Sequence, residues 1–144
     1  QKINVALIGT CTNGRLDDIR QAAAILKGQR IAKSVRMIVT PASRQVYLAA
    51  AREGLLEALT RAGASVEAAG CGTCVNITGH LITGDGEVVI SSANRNFKGR
   101  LGNDKSEIWL GSAATVAASA LTGMITDPRE VAGGKWTASG KEAV

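Results

Sequence analysis

The chain alternates between short apolar runs of strand length and segments whose apolar residues recur at helical spacing. Residues 3–8 (Ile-Asn-Val-Ala-Leu-Ile) are almost continuously apolar, partly β-branched and closed by Gly9, the pattern of a buried strand. Leu16, Ile19, Ala23 and Leu26 then repeat as one face of a helix. Asn13 is placed to cap it, Asp17 and Asp18 suit its positive end, and Gly28 ends it. Residues 35–39 predict a second strand, closed by Thr40 and Pro41. Ser43 predicts the cap of one long helix carrying Val46, Ala50, Leu55 and Leu59, with Gly63 as its stop. Residues 65–69, 87–91 and 107–110 read as three further strands. Ser112 caps a helix of small residues reaching about Thr122, with Gly123 behind it, and Asp127-Pro128 reads as a break.

This alternation predicts an α/β fold: a three-layer αβα domain over residues 1–128 with a mainly parallel sheet and helices on both faces, then a ragged tail over 129–144. Ligands in such sheets bind beyond the carboxyl ends of the strands. Cys11 follows the first strand, residues 40–43 the second, Cys71 and Cys74 the third, and Asn94, Arg95 and Arg100 the fourth. The residues with chemistry therefore fall on one edge of the sheet.

Composition narrows the picture. At 144 residues, 45% hydrophobic and 20% charged, the chain has the material of one globular domain. Aromatics are 3%, so the core must be built from Ala, Val, Ile and Leu. The net charge of +5 comes from 17 basic residues spread without a long run, and there are few aromatics on which bases could stack. No nucleic-acid partner is expected, and the basic balance suits an acidic substrate or partner instead. No apolar run approaches a membrane span of ~18–20 residues, so no membrane partner is expected. The chain opens on Gln1-Lys2-Ile3, without Met or signal pattern, which reads as a boundary within a longer protein.

Three cysteines are an odd number and no disulfide framework, which places the chain in a reducing, cytoplasmic compartment. Cys11 lies in Gly9-Thr10-Cys11-Thr12-Asn13-Gly14, Cys71 and Cys74 in Gly70-Cys71-Gly72-Thr73-Cys74. A Cys-x-x-Cys pair alone fits a redox dithiol, half of a zinc site or two inert buried thiols. Flanking glycines, which let backbone approach a bulky group, and a third cysteine on the same edge add an iron–sulfur cluster with one open iron to these readings. His80, the single histidine, could complete a three-Cys, one-His zinc site. Residues 91–100 (Ser-Ser-Ala-Asn-Arg-Asn-Phe-Lys-Gly-Arg) are either a solvated basic loop or a carboxylate-binding one, since the arginine fork matches a carboxylate. Gly9 and Gly14 do not make a phosphate loop, because Lys-Ser/Thr does not follow.

Taken together, three stretches in order resemble the aconitase superfamily: residues 7–14 its first cysteine signature, 70–75 its second, and 94–100 its substrate-arginine segment. The similarity runs from about Ile3 to Pro128. Cys-Thr-Asn-Gly-Arg at 11–15, Val-Thr-Pro at 39–41, Ser-Arg-Gln-Val-Tyr at 43–47 and Asn-Phe-Lys-Gly-Arg at 96–100 are nearest to the isopropylmalate isomerase and homoaconitase branch. The resemblance implies that Cys11, Cys71 and Cys74 ligate a four-iron, four-sulfur (4Fe-4S) cluster, absent from air-handled protein. It further implies that Asn94, Arg95 and Arg100 bind substrate carboxylates beside it. The implied reaction is dehydration and rehydration of a hydroxy polycarboxylic acid by a hydro-lyase, in leucine biosynthesis for an isopropylmalate dehydratase. Homoaconitase and aconitase are the near alternatives, and a non-catalytic metal-binding or redox module is the alternative of another class. The implied partners are the preceding large-subunit domains, which carry the acidic and histidine catalytic residues, and a small swivel subunit with the catalytic serine. This chain corresponds to the third, cluster-carrying domain and is expected to be inactive alone. Three features depart from the family pattern: Asn76 in place of a small residue, Ala42 in place of Gly, and a stretch from Cys74 to Gly86 one residue longer than usual.

Overall fold

The five apolar runs form five strands that all run parallel. They are β1 (Val5–Gly9), β2 (Arg36–Thr40), β3 (Ser65–Val66), β4 (Val88–Ser91) and β5 (Glu107–Leu110). The computed structural model describes residues 1–75 and 83–131. Strand order is β3-β2-β1-β4-β5, so the direction of winding reverses at β1. Val5 stands opposite Arg36 on one side and Val89 on the other, which fixes the register of the three central strands.

Six helices connect and flank the strands: α1 (Leu16–Leu26), α2 (Arg44–Arg52), α3 (Leu55–Ala62), α4 (Gly72–Val75), α5 (Ala113–Thr122) and α6 (Pro128–Val131). Side chains alternate across a strand, and the core divides accordingly. Ala6, Ile8, Met37, Val39, Val88 and Ile90 face the layer formed by α1, α2, α3 and α5. Val5, Leu7, Ile38 and Val89 face the other way, where Leu101 joins them. The alanines of α5 are all buried, and their small size lets this helix sit against both α1 and β1. At the amino-terminal edge of the sheet Arg36 pairs with Glu87 at 2.8 Å, and this guanidinium holds the Glu87 carboxyl below its ordinary range.

Four details differ from the expectations above. The cap of α1 is Arg15, whose backbone N–H donates to Asp18 Oδ2 at 3.1 Å; Asn13 turns its side chain to the carbonyl of Ser92 instead. The expected long helix is two helices, divided at Glu53 and Gly54, because Gly54 takes φ +73° and redirects the chain. The third strand stops at Val66. Pro128 starts α6 rather than only breaking the chain: proline suits a first helical position, and Asp127 Oδ1 accepts from the N–H of Arg129 at 2.9 Å. Residues 129–131 of the expected tail thus continue this helix. His80, Asn76 and residues 132–144 lie outside the described residues.

The break at Gly54 generates a stability prediction. No atom lies within 4 Å of where a Cβ would stand, so Gly54→Ala meets only the backbone penalty of the left-handed region. We expect a loss of about 1 kcal/mol, read as a lower denaturant midpoint at unchanged slope. An unchanged midpoint would mean that the junction relaxes at no cost.

Candidate functional site

The carboxyl ends of β1, β2 and β4 meet in a network of short polar side chains and glycines. Thr40 ends β2 and is 2% exposed. Its carbonyl oxygen is so close to the loop after β1 that a Cβ on Gly9 would come within 2.9 Å of it, and one on Gly14 within 2.5 Å. The loop closes on itself through Gly14 N–H to the Thr10 carbonyl at 2.9 Å, and joins the next connection through Ala42 N–H to the Gly14 carbonyl at 2.8 Å. Ser92, just beyond β4, braces the same loop: its hydroxyl accepts from Gly9 N–H at 3.2 Å and lies 3.3 Å from the carbonyls of Gly9 and Asn13. Cys11 is thereby presented on a loop whose backbone is held from both neighbouring strands, while its own side chain is exposed.

The second cysteine segment is tied to the first. Thr73, between Cys71 and Cys74 on α4, shares a hydrogen bond of 2.8 Å with the Thr40 hydroxyl. Thr10 Oγ1 lies 3.7 Å from Cys74 Sγ and donates to it. Arg100 reaches the same sulfur from the third segment, with Nη2 donating at 3.0 Å. Its guanidinium also stands over the Phe97 ring at 5.5 Å, a cation–π arrangement made possible by the turn from Phe97 to Arg100. All three cysteines are free thiols, Cys11 and Cys71 exposed and Cys74 partly buried.

Of the residues singled out from sequence, Cys74 and Arg100 are in contact, and the Cys11 loop touches Cys74 through Thr10. Asn94 and Arg95 are exposed and make no side-chain hydrogen bond among the described residues. Sequence reasoning placed Thr40 on the sheet edge within residues 40–43 and Ser92 within the polar cluster 91–100, but gave neither a role, and it named Thr10 and Thr73 only as neighbours of the cysteines; all four are buried. For Thr10, Thr40 and Ser92 the available signal was position: short hydroxyl side chains at or just beyond the carboxyl ends of apolar strands, where backbone groups lose their ladder partners; Thr73, in α4, had none.

The model of the aconitase family (aconitate hydratase) matches residues 1–123. This chain belongs to the aconitase family. It is 54% identical over 130 residues to the 3-isopropylmalate dehydratase large subunit of Elusimicrobium minutum, covering 90% of this chain and 31% of that protein. Against 3-isopropylmalate dehydratase large subunit 2 of Archaeoglobus fulgidus the identity is 55% over 129 residues, again 90% of this chain and 31% of the relative. The probable methanogen homoaconitase large subunit of Methanosarcina mazei is 51% identical over 129 residues, 90% of this chain and 32% of the relative. The chain thus spans about a third of the length of these aconitase-family relatives.

The donor set suits an iron–sulfur group in kind: three free thiols on adjoining loops. Two buried polar atoms beside them, Thr12 Oγ1 and Arg100 Nε, have no hydrogen-bond partner among the described residues, which leaves them able to take one from a bound group. Among the described residues no three His, Cys, Asp or Glu side chains converge closely enough to hold a single metal ion.

The close approach at Gly14 separates two glycines that sequence alone treats alike. Gly14→Ala drives a Cβ into the Thr40 and Thr10 carbonyls, whereas nothing lies within 4 Å of a Cβ at Gly70. Thermal or chemical unfolding should show Gly14→Ala destabilised by about 1–3 kcal/mol, the cost of overpacking, with Cys11 altered in its rate of alkylation. Gly70→Ala should stay near wild type, and equal losses in the two variants would contradict this packing.

Proposed function

We propose that Cys11, Cys71 and Cys74 hold a 4Fe-4S cluster with one iron left free of protein thiolate, in a hydro-lyase that dehydrates and rehydrates a hydroxy polycarboxylic acid. The substrate assignment is 3-isopropylmalate, which places the protein in leucine biosynthesis and in the reducing cytoplasm. Homoaconitase is the second reading, carried by the Methanosarcina mazei relative at 51% identity. The single observation that carries the proposal is the junction of the cysteine loops with Arg100: Nη2 on Cys74 Sγ at 3.0 Å and Nε buried with no partner among the described residues.

When bound, the cluster supplies a Lewis acid that draws electrons from a departing hydroxide. This chain supplies the cradle. The Thr10 hydroxyl and the Arg100 guanidinium donate toward Cys74 sulfur and orient it. Arg100, partly buried against Phe97, offers a rigid fork for a carboxylate, and Arg95 and Asn94 are exposed on the same segment and free to meet a second one. The groups that move protons are assigned to the two thirds of a large subunit that this chain does not span and to a small subunit. We therefore expect this chain alone to show no steady turnover.

Anaerobic reconstitution should load the chain with iron and sulfide in equal amounts, about four of each, and Cys→Ser at any of the three positions should remove most of it. Tight stoichiometric zinc without iron uptake would refute the reading. In the enzyme assembled with its remaining large-subunit domains and small subunit, Arg100→Lys should keep the cluster yet lose roughly 2–4 kcal/mol in kcat/KM, the scale of a broken buried charge-assisted bond. Unchanged kcat/KM would remove Arg100 from the substrate site.

A further inference from the structure

The cysteine segment 71–74 has three side-chain holds among the described residues, and two of them end on the thiol itself. Thr10 Oγ1 and Arg100 Nη2 both donate to Cys74 Sγ, the atom that a bound cluster would occupy. The third hold, Thr40 Oγ1 to Thr73 Oγ1 at 2.8 Å, uses no sulfur. It is also the best protected, since Thr40 is 2% and Thr73 3% exposed and water does not compete for either hydroxyl. α4 is a single turn, too short to hold its own shape. Thr40 is moreover the residue whose carbonyl abuts Gly9 and Gly14, on either side of Cys11. One residue at the end of β2 therefore touches both cysteine segments, by its hydroxyl on one side and its backbone on the other.

We propose that the Thr40–Thr73 hydroxyl pair is a positioning latch, which fixes the Cys71–Cys74 turn against the Cys11 loop without drawing on the thiols. The proposal rests on the cluster reading above only for its iron readout. With the latch in place the three sulfurs are presented in one arrangement before and after loading. Without it, the side-chain holds left on this segment among the described residues both end on the Cys74 sulfur, the atom whose bonding changes on loading.

Paired substitution separates a latch from ordinary packing. Thr→Val keeps shape and removes the hydroxyl. Thr40→Val alone leaves the Thr73 hydroxyl buried and unpaired and should lower thermal stability, whereas Thr40→Val with Thr73→Val removes both partners and should recover most of it. The recovered double variant should nevertheless release iron to excess chelator roughly tenfold faster than wild type, the lower end of what losing an outer hydrogen bond costs metal sites. Thr40→Ser, which keeps the hydroxyl, should hold iron like wild type. A second readout needs no iron: in a Cys71→Ser background, bridging of Cys11 to Cys74 by dibromobimane should fall several-fold in the double variant. Should that variant not fold, Thr73→Ala is read in the same way. A stable double variant that bridges and retains iron as wild type does would overturn the latch. If wild type takes up no cluster while bridging still depends on the hydroxyl pair, the latch stands and the cluster reading falls.

Discussion

The burial of β1 is the constraint on which the site depends. All five of its residues are buried, paired on both edges by parallel strands and covered on both faces by apolar layers. A one-residue slip would exchange Val5 and Leu7 with Ala6 and Ile8 between two differently packed layers, and close-packed cores resist such a change. Its last residue, Gly9, is thus delivered to a fixed point at the place where the sheet changes its direction of winding. Open α/β sheets leave a crevice there, and the Cys11 loop starts from it.

From that point the site is built by contrast. The thiols of Cys11 and Cys71 are exposed, while the residues that hold their loops, Thr10, Thr40, Thr73 and Ser92, are buried. Exposed thiols can take up a bulky inorganic group, and buried hydroxyls hold the backbone in place beneath them. Glycine at 9 and 14 allows the two layers to approach, since any side chain there would meet the Thr40 carbonyl. Arg100 links this floor to the segment after β4, bringing positive charge to a sulfur on a chain of net charge +5.

Membership of the aconitase family gives the arrangement its context. Under the function proposed above, a chain matching about a third of its relatives' length would bring one wall of an active site. The cysteines and arginines on one sheet edge fit that role, and so does the exposed Asn94–Arg95 stretch, whose side chains find no partner among the described residues.

The sequence by itself determined the elements and the edge. Short apolar runs bounded by turn residues read as strands, alternation of strand and helix called for a parallel sheet, and the serine and glycine that bound α5 stand where the structure has its caps. It also placed the three cysteines in the connections that follow strands, because that follows from order along the chain. Local signals were too weak to decide the rest. Asn13 and Arg15 compete to start α1, and Asn13 is drawn away by the Ser92 carbonyl, a partner 79 residues distant. Helical periodicity ran through Gly54 unchanged, and only a left-handed backbone at that residue made two helices of one. The Thr40–Thr73 bond and the reach of Arg100 to Cys74 join residues 33 and 26 positions apart. Contacts of this kind carry no periodicity in sequence; they exist only once β1, β2 and β4 have been brought side by side in register.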